Sequence, residues 1–337
     1  MSATIGPADA IRPAIEGLTL RPSRVDDAAV LSDLFNADNA ADGLHWRSTA
    51  AELANWLSHA SEHFDPGRDL LVLEHQGRVI ASSDVEWIDT TDGLREYRTG
   101  CSVHPDWRRR GIGRWLLRHN EARAADHARR HPTDRPRVLG CWSGDSAVGR
   151  RELFIQEGYA PARYFFDMVR PSLDGAAPLP LPEGLELRPV TADQLRRLWD
   201  ADVEAFADHW GGFDGSEPRF REWQSDPKFD PSLFVVAWDG DEIAGGVLNE
   251  INDAENLAFD RKRGWLASVF VRRPWRRRGL ARAVVMQSLV VFRERGLTSA
   301  GLGVDADNPH AALRLYEQTG FQVDMRSAAY RKPLALD

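Results

Sequence analysis

The chain has 337 residues, a net charge of −8, 42% hydrophobic residues and two cysteines, Cys101 and Cys141. That length suits two domains of ordinary size, while the acidic balance argues against nucleic acid or an anionic membrane as the main partner. Two cysteines do not make a disulfide framework, no apolar run approaches bilayer-spanning length, and the first ten residues lack the basic start and apolar core of a leader; a soluble, cytoplasmic protein is expected.

A strand is expected at Leu18–Arg21, then a helix carrying Ala28, Val30, Leu31, Leu34 and Phe35 at helical spacing, then a second helix with Leu53 and Trp56. Apolar segments at Leu70–Glu74, Arg78–Trp87 and Glu96–Val103 are separated by Gln76-Gly77 and Thr91-Asp92-Gly93 and read as antiparallel strands. A helix begins with Ile112, Leu116 and Leu117. A strand at Val138–Trp142, a helix with Leu153, Phe154 and Ile155 and a strand at Tyr164–Val169 complete the first half.

The second half repeats this order. Strands are expected at Leu185–Arg188, Leu233–Trp238, Glu242–Asn249, Trp265–Val271 and Ser299–Val304, with a helix from Gly279 and another carrying Ala312, Leu315, Tyr316 and Thr319. The copies can be followed residue by residue. Glu16-Gly17-Leu18 returns as Glu183-Gly184-Leu185, Trp56 as Trp223, Phe64-Asp65-Pro66 as Phe229-Asp230-Pro231, and Gly158-Tyr159 as Gly320-Phe321. The offsets run from 162 to 168, too long for a solenoid and steady enough for a duplicated domain. The proline-rich stretch Pro171–Pro182 reads as a linker, giving domains at 15–170 and 184–335 around a 171–183 connection.

One motif is duplicated with the domain. Arg108-Arg109-Arg110-Gly111-Ile112-Gly113 and Arg276-Arg277-Arg278-Gly279-Leu280-Ala281 each follow a strand that stops near Pro and each open a helix. Glycine at such a turn lets a ligand approach the main chain, and the helix N-terminus favours negative charge, so a phosphate or pyrophosphate is the expected guest.

These residues resemble the GNAT acyltransferase superfamily in tandem form, over nearly the whole chain. The resemblance implies an α+β fold of two GNAT-like domains, each a mixed, mostly antiparallel sheet with a parallel pair and flanking helices. It implies that both arginine runs wrap the pyrophosphate of acetyl-CoA or another short acyl-CoA, and that Ser102-Val103 and Phe270-Val271 lie on the strands that pair with the pantetheine arm. Asn308 and Tyr316-Glu317-Gln318-Thr319-Gly320-Phe321 resemble the family's second cofactor motif. Tyr316 can then protonate the leaving thiolate, because a phenol of pKa about 10 is matched to a thiol of about 8.5. Phe154 and Ser146 stand at the matching places of the first repeat, which keeps the phosphate loop and loses the acid.

The attacking amine also needs a base. The strand Trp265–Val271 carries no carboxylate, unlike many relatives, which leaves Glu250 first and then Asp208 and His209. The ten histidines show no metal-ligand spacing with Cys or Glu. The expected activity is acetyl transfer to the amine of a small molecule or peptide in the second domain. A mycothiol-synthase-like enzyme, which the tandem architecture also resembles, and a non-catalytic CoA-binding or sensory module are the alternatives. A DNA-binding role for the arginine runs is disfavoured by the net charge.

Overall fold

A computed structural model describes residues 12–307 and 312–336. The chain forms two compact units, one of residues 1–162 with 328–337 and one of residues 163–327.

In the first unit, β1 (Leu18–Pro22), β2 (Leu70–His75), β3 (Arg78–Asp89) and β4 (Arg95–Val103) pair antiparallel in succession, and β4 pairs parallel with β5 (Arg137–Gly144). Helices α1 (Ala28–Ala41), α2 (Ala50–Leu57) and the short α3 (Pro66–Asp69) precede β2; α4 (Ile112–Arg130) joins β4 to β5, and α5 (Val148–Gln156) follows. Alternation along the strands sends Val72 towards Leu31, Leu34, Leu53 and Leu57, and Leu73 towards Ile112, Trp115 and Leu116. Each sheet face therefore meets its own helix layer. The entry to α2 is set locally: the Thr49 hydroxyl accepts from the Glu52 amide, and the Glu52 carboxylate accepts from the Thr49 amide.

The second unit repeats the plan. It contains β7 (Leu185–Leu187), α6 (Leu195–Phe206), α7 (Glu217–Gln224), β8 (Val235–Asp239), β9 (Glu242–Ile251), α8 (Asp253–Ala258), β10 (Arg263–Val271), α9 (Leu280–Glu294), β11 (Ser299–Asp305) and α10 (Ala312–Gln318). Strands β7 to β10 are antiparallel neighbours in succession, and β10 and β11 are parallel. Val284, Val285, Leu289 and Phe292 of α9 are fully buried on one face with Ala237, Val247 and Leu302. Each such side chain stabilises the fold by about 1.5–3 kcal/mol. On the other face Leu198 and Ala201 of α6 meet Val236, Leu248 and Phe270.

The expected boundaries place the strand at Tyr164–Val169 in the first domain, and the compact units do not. Strand β6 (Ala160–Arg170) ends the first repeat in sequence, yet from Arg163 onward it belongs to the second unit, antiparallel to β11. Strand β12 (Gln322–Pro333), which the sequence pattern did not reveal, passes from the second unit into the first at Ala328, and its end lies beside β5. The 171–183 segment is not a free linker either. Leu173 and Ala176 are buried in the α9 core, and the Leu173 amide donates to the Thr298 carbonyl. Two apolar residues in a proline-rich run gain more by burial than the segment loses in freedom, which proline has already restricted.

Sheet and helix touch closely at one point that invites a test. A Cβ on Gly264 would fall 2.5 Å from the ring of Phe292, itself fully buried. Gly264→Ala is expected to destabilise the second unit by about 1–3 kcal/mol through overpacking, seen as a lower denaturation midpoint. An unchanged midpoint would show that Phe292 can move aside.

Candidate active site

In both repeats the strand is followed by a one-turn 3-10 segment, Pro105–Trp107 or Arg273–Trp275, and then by the glycine loop. The loops have one backbone shape. Arg109 and Arg277 are left-handed, with φ of 63° and 62°, and so are Gly111 and Gly279, with φ of 83° and 87°. Alternation of this kind turns successive N–H groups to the same side and makes an anion-binding nest at the helix start. A left-handed Arg costs of order 1–3 kcal/mol, so its recurrence at the same place marks a built feature.

The first arginine of each run faces inward. The Arg108 guanidinium binds Asp38 and Asp42 on and just after α1, and its Nε donates to the Val103 carbonyl. Arg276 likewise donates to the Val271 and Ala205 carbonyls, and lies 3.4 Å from Asp208. These two side chains tie a strand end to a helix end, and their charge is met there. Arg110 donates to the Asp106 carbonyl and covers Trp107, and Arg278 donates to the Glu183 carbonyl. The side chains of Arg108, Arg110, Arg276 and Arg278 thus hold the loop, and what the turn offers an anion is the main-chain N–H groups around Gly111-Ile112-Gly113 and Gly279-Leu280-Ala281.

Beside each nest the two parallel strands part. Pairing of β4 with β5 ends at Arg98 and Gly140, and pairing of β10 with β11 ends at Trp265 and Gly301, although all four strands continue. Ser102-Val103 and Phe270-Val271 lie on the parted stretches. Their main-chain edge faces a gap that an extended amide-bearing chain can fill by strand-like pairing. The two stretches differ in one respect. β4 pairs with β3 in unbroken register, whereas β10 shifts against β9 between Leu266 and Ser268.

Further differences separate the repeats. Beside Gly279 a Cβ would meet nothing within 4 Å, whereas beside Gly111 it would lie 3.9 Å from Pro13. Between α4 and α5 of the first unit, Arg114 binds Gln156 and Glu157, and Arg118 binds Glu157. The matching residues of the second unit, Arg282, Met286, Gln318 and Thr319, line an open groove of about 420 Å³.

Tyr316 sits on α10, buried in the α9 core with its ring 6.0 Å from that of Phe321. Burial pushes its hydroxyl well above the ordinary tyrosine value, which keeps it protonated and able to donate a hydrogen bond but widens its pKa difference from a thiol that the ordinary value nearly matched. Phe154 of α5 is buried between Tyr159 and Tyr330 and offers no proton. Asn308 lies outside the described residues.

The expected bases are scattered. Glu250 is on β9 opposite Trp265, 3.6 Å from Lys228 Nζ. His209 follows α6, its amide donating to the Phe206 carbonyl and its ring 5.0 Å from that of Phe206. Asp208 is held by Arg273, whose hydrogen bonds pull its carboxyl below the usual range, so it is a poor proton acceptor.

Sequence reasoning missed Asp202 and Ser268. The Ser268 hydroxyl donates to Asp202 Oδ1 at 2.7 Å, and Asp202 is 3% exposed. A signal was present: Leu195, Leu198, Trp199 and Asp202 stand at i, i+3, i+4 and i+7, which places a carboxylate on an apolar stripe.

Both repeats match known proteins. The model of the Acetyltransferase (GNAT) family matches residues 195–321, and that of the Acetyltransferase (GNAT) domain matches residues 66–159. The chain is 32% identical to the mycothiol acetyltransferase of Geodermatophilus obscurus, over 90% of this chain and 94% of that one. It is 31% identical to that of Thermobifida fusca, over 90% and 93%. Among solved structures, a GCN5-related N-acetyltransferase from Sphaerobacter thermophilus superposes with a TM-score of 0.67 at 28% identity, covering 95% of this chain and 96% of that one. A tandem GNAT protein from the clavulanic acid biosynthesis pathway reaches 0.70 at 17% identity, over 94% and 99%, and shares the fold.

Proposed function

Because this chain belongs to the GNAT acetyltransferase family and carries two of its domains in tandem, we propose that its second repeat transfers an acetyl group from acetyl-CoA to the amine of a small molecule. Its relatives are named mycothiol acetyltransferases, so the desacetyl form of mycothiol is the first acceptor to try. The observation that carries this reading is the second repeat's open nest at Gly279, beside strands that part after Trp265 and Gly301.

The residues divide the work as follows. The nest around Gly279, Leu280 and Ala281 binds the pyrophosphate, and the free edge of β10 near Phe270-Val271 aligns the pantetheine arm. An N–H on that edge stabilises the oxyanion that forms when the amine attacks the thioester carbon. The C–S bond then breaks, and Tyr316 supplies the proton that the thiolate takes. The first repeat has the same nest, with Pro13 near Gly111, and Phe154 in place of the acid; it binds donor more weakly and performs no transfer.

A thiol-release assay with acetyl-CoA, run on desacetylmycothiol and on a panel of primary amines, tests the reading, with mass spectrometry of the product. N-acetylation of an amine is the expected result. Bound CoA with no transfer to any amine would leave the chain a CoA-binding module instead. Phe154→Tyr should not add activity to a Tyr316→Phe background, because a phenol placed among Tyr159 and Tyr330 still lacks the offset strand of the second repeat. Restored turnover in the double variant would show that the first repeat needs only the acid.

A further inference from the structure

The shift in β10 has a consequence for the opposite face of the sheet. Leu266, Val269 and Val271 pack towards α9, while Phe270 packs towards α6. An unbroken strand would turn Leu266 and Ser268 to the same face. The extra residue at the bulge, Ala267, resets the alternation and turns Ser268 towards Asp202 of α6. The bulge stands where β10 has just left β11, so the Asp202–Ser268 pair borders the gap from the face opposite Tyr316. Ser268 is half-buried and Asp202 is enclosed behind it.

We propose that Ser268 and Asp202 form the proton-accepting pair for the acceptor amine, with the Ser268 hydroxyl touching the amine and Asp202 positioned behind it. This rests on the reading of the second repeat as the transfer site. The acceptor arrives as an ammonium ion and must lose two protons before the amide is complete. One passes to Ser268 Oγ while the Ser268 hydroxyl proton passes to Asp202 Oδ1, and Asp202 later returns it to solvent. The freed lone pair forms the C–N bond, the C–S bond breaks, and the second nitrogen proton makes good the one Tyr316 gives to the thiolate. One proton is released per turnover.

The surroundings suit this role. Burial pushes the Asp202 carboxyl up to about 7, and the hydrogen bond from Ser268 opposes that rise. The charged groups on the elements packed against α6 are engaged elsewhere: Glu242 of β9 with Arg197 and Arg272, Glu250 of β9 with Lys228, and Arg263 of β10 with Asp324. On α6 itself Asp200 pairs with Arg196 and Glu204 with Arg272, and Asp193 lies in the turn before it. None of these sets the state of Asp202, which burial and Ser268 decide.

The test follows kcat/KM with pH, using acetyl-CoA and desacetylmycothiol or whichever panel amine is acetylated. The wild type should gain activity as pH rises through about 7 and then level. Asp202→Asn should lose that limb and about 10²-fold or more in rate. Ser268→Ala should lose rate to a similar extent, because the atom that passes the proton is gone, and the remaining limb should lie at higher pH, because the anion loses its donor. A rate loss with the wild-type limb intact in both variants would mean a packing role and overturn the proposal. A second arm needs no turnover. The folded carboxyl holds its proton to higher pH than the unfolded one, so the wild type loses stability as pH rises from about 4 through about 7. The melting temperature of Asp202→Asn should therefore gain on the wild type between about pH 5 and pH 8, and a constant difference would overturn the proposal. Failure to acetylate any amine would overturn the functional reading instead, and the melting arm would still decide the state of Asp202.

Discussion

Replacing Tyr316 by Phe is expected to lower kcat by roughly 10²–10⁴-fold while leaving the KM for acetyl-CoA little changed. The ring is buried in the α9 core beside Phe321, and Phe keeps every apolar contact while removing one hydroxyl. Folding is therefore preserved, and the loss falls on the step that needs a proton. Because burial raises the Tyr316 hydroxyl, the acid remains protonated across the ordinary working range and does not itself set a limb of the pH profile there. Expulsion of a free thiolate is the step that slows. A donor with a better leaving group, such as a thioester of a low-pKa aryl thiol, should suffer less from the substitution than acetyl-CoA does. Turnover within about twofold of wild type, when chemistry limits the rate, would end the assignment, since an acid contributing under about 0.5 kcal/mol does not carry the step.

Gly279→Val is expected to raise the KM for acetyl-CoA by about 10–100-fold, whereas Gly111→Val should leave kcat/KM within about twofold of wild type. Two effects add at Gly279. A β-branched residue at φ of +87° is strained, and left-handed backbone costs about 1–2 kcal/mol for a residue with a Cβ. The Cβ itself meets nothing within 4 Å, so the new side chain is not forced into the protein. Standing on the loop itself, it is expected to crowd the main-chain N–H groups and exclude the pyrophosphate. At about 1.4 kcal/mol per factor of ten, strain and exclusion together account for the range. Calorimetry separates the repeats. The Gly279→Val chain should keep one weak class of CoA sites, at the first nest, and complete loss of binding would show that the nest beside Pro13 holds no donor.

Much of this architecture could be read from sequence because the decisive signals are local and occur twice. The arginine-glycine loops mark a strand end, a nest and a helix start within six residues, and the nest needs little beyond its own backbone dihedrals. Strand alternation between Leu70 and Val103 and the helical stripe from Leu280 to Phe292 likewise report burial one element at a time. Phe154 against Tyr316 was legible for the same reason, since a duplicated chain supplies its own internal comparison.

What stayed hidden depends on distant partners. Strand β12 has a mostly exposed first half, and its buried stretch from Ser327 to Tyr330 is too short to announce a twelve-residue strand. That β6 serves the second unit and the end of β12 the first is a choice of neighbours, and both strands would satisfy the same alternation in either place. Asp202 carried a local anomaly, a carboxylate on an apolar stripe, but its meaning came from Ser268, sixty-six residues away in sequence. By itself the sequence determined a duplicated α+β domain, two glycine loops of one backbone shape and the single repeat with Tyr rather than Phe at the matching place, because each rests on backbone preference or side-chain period within a single element. Only the tertiary structure decided which unit each terminal strand completes and that Asp202 is buried against Ser268. Those outcomes follow from packing and desolvation among residues far apart in the chain, and no local pattern records them.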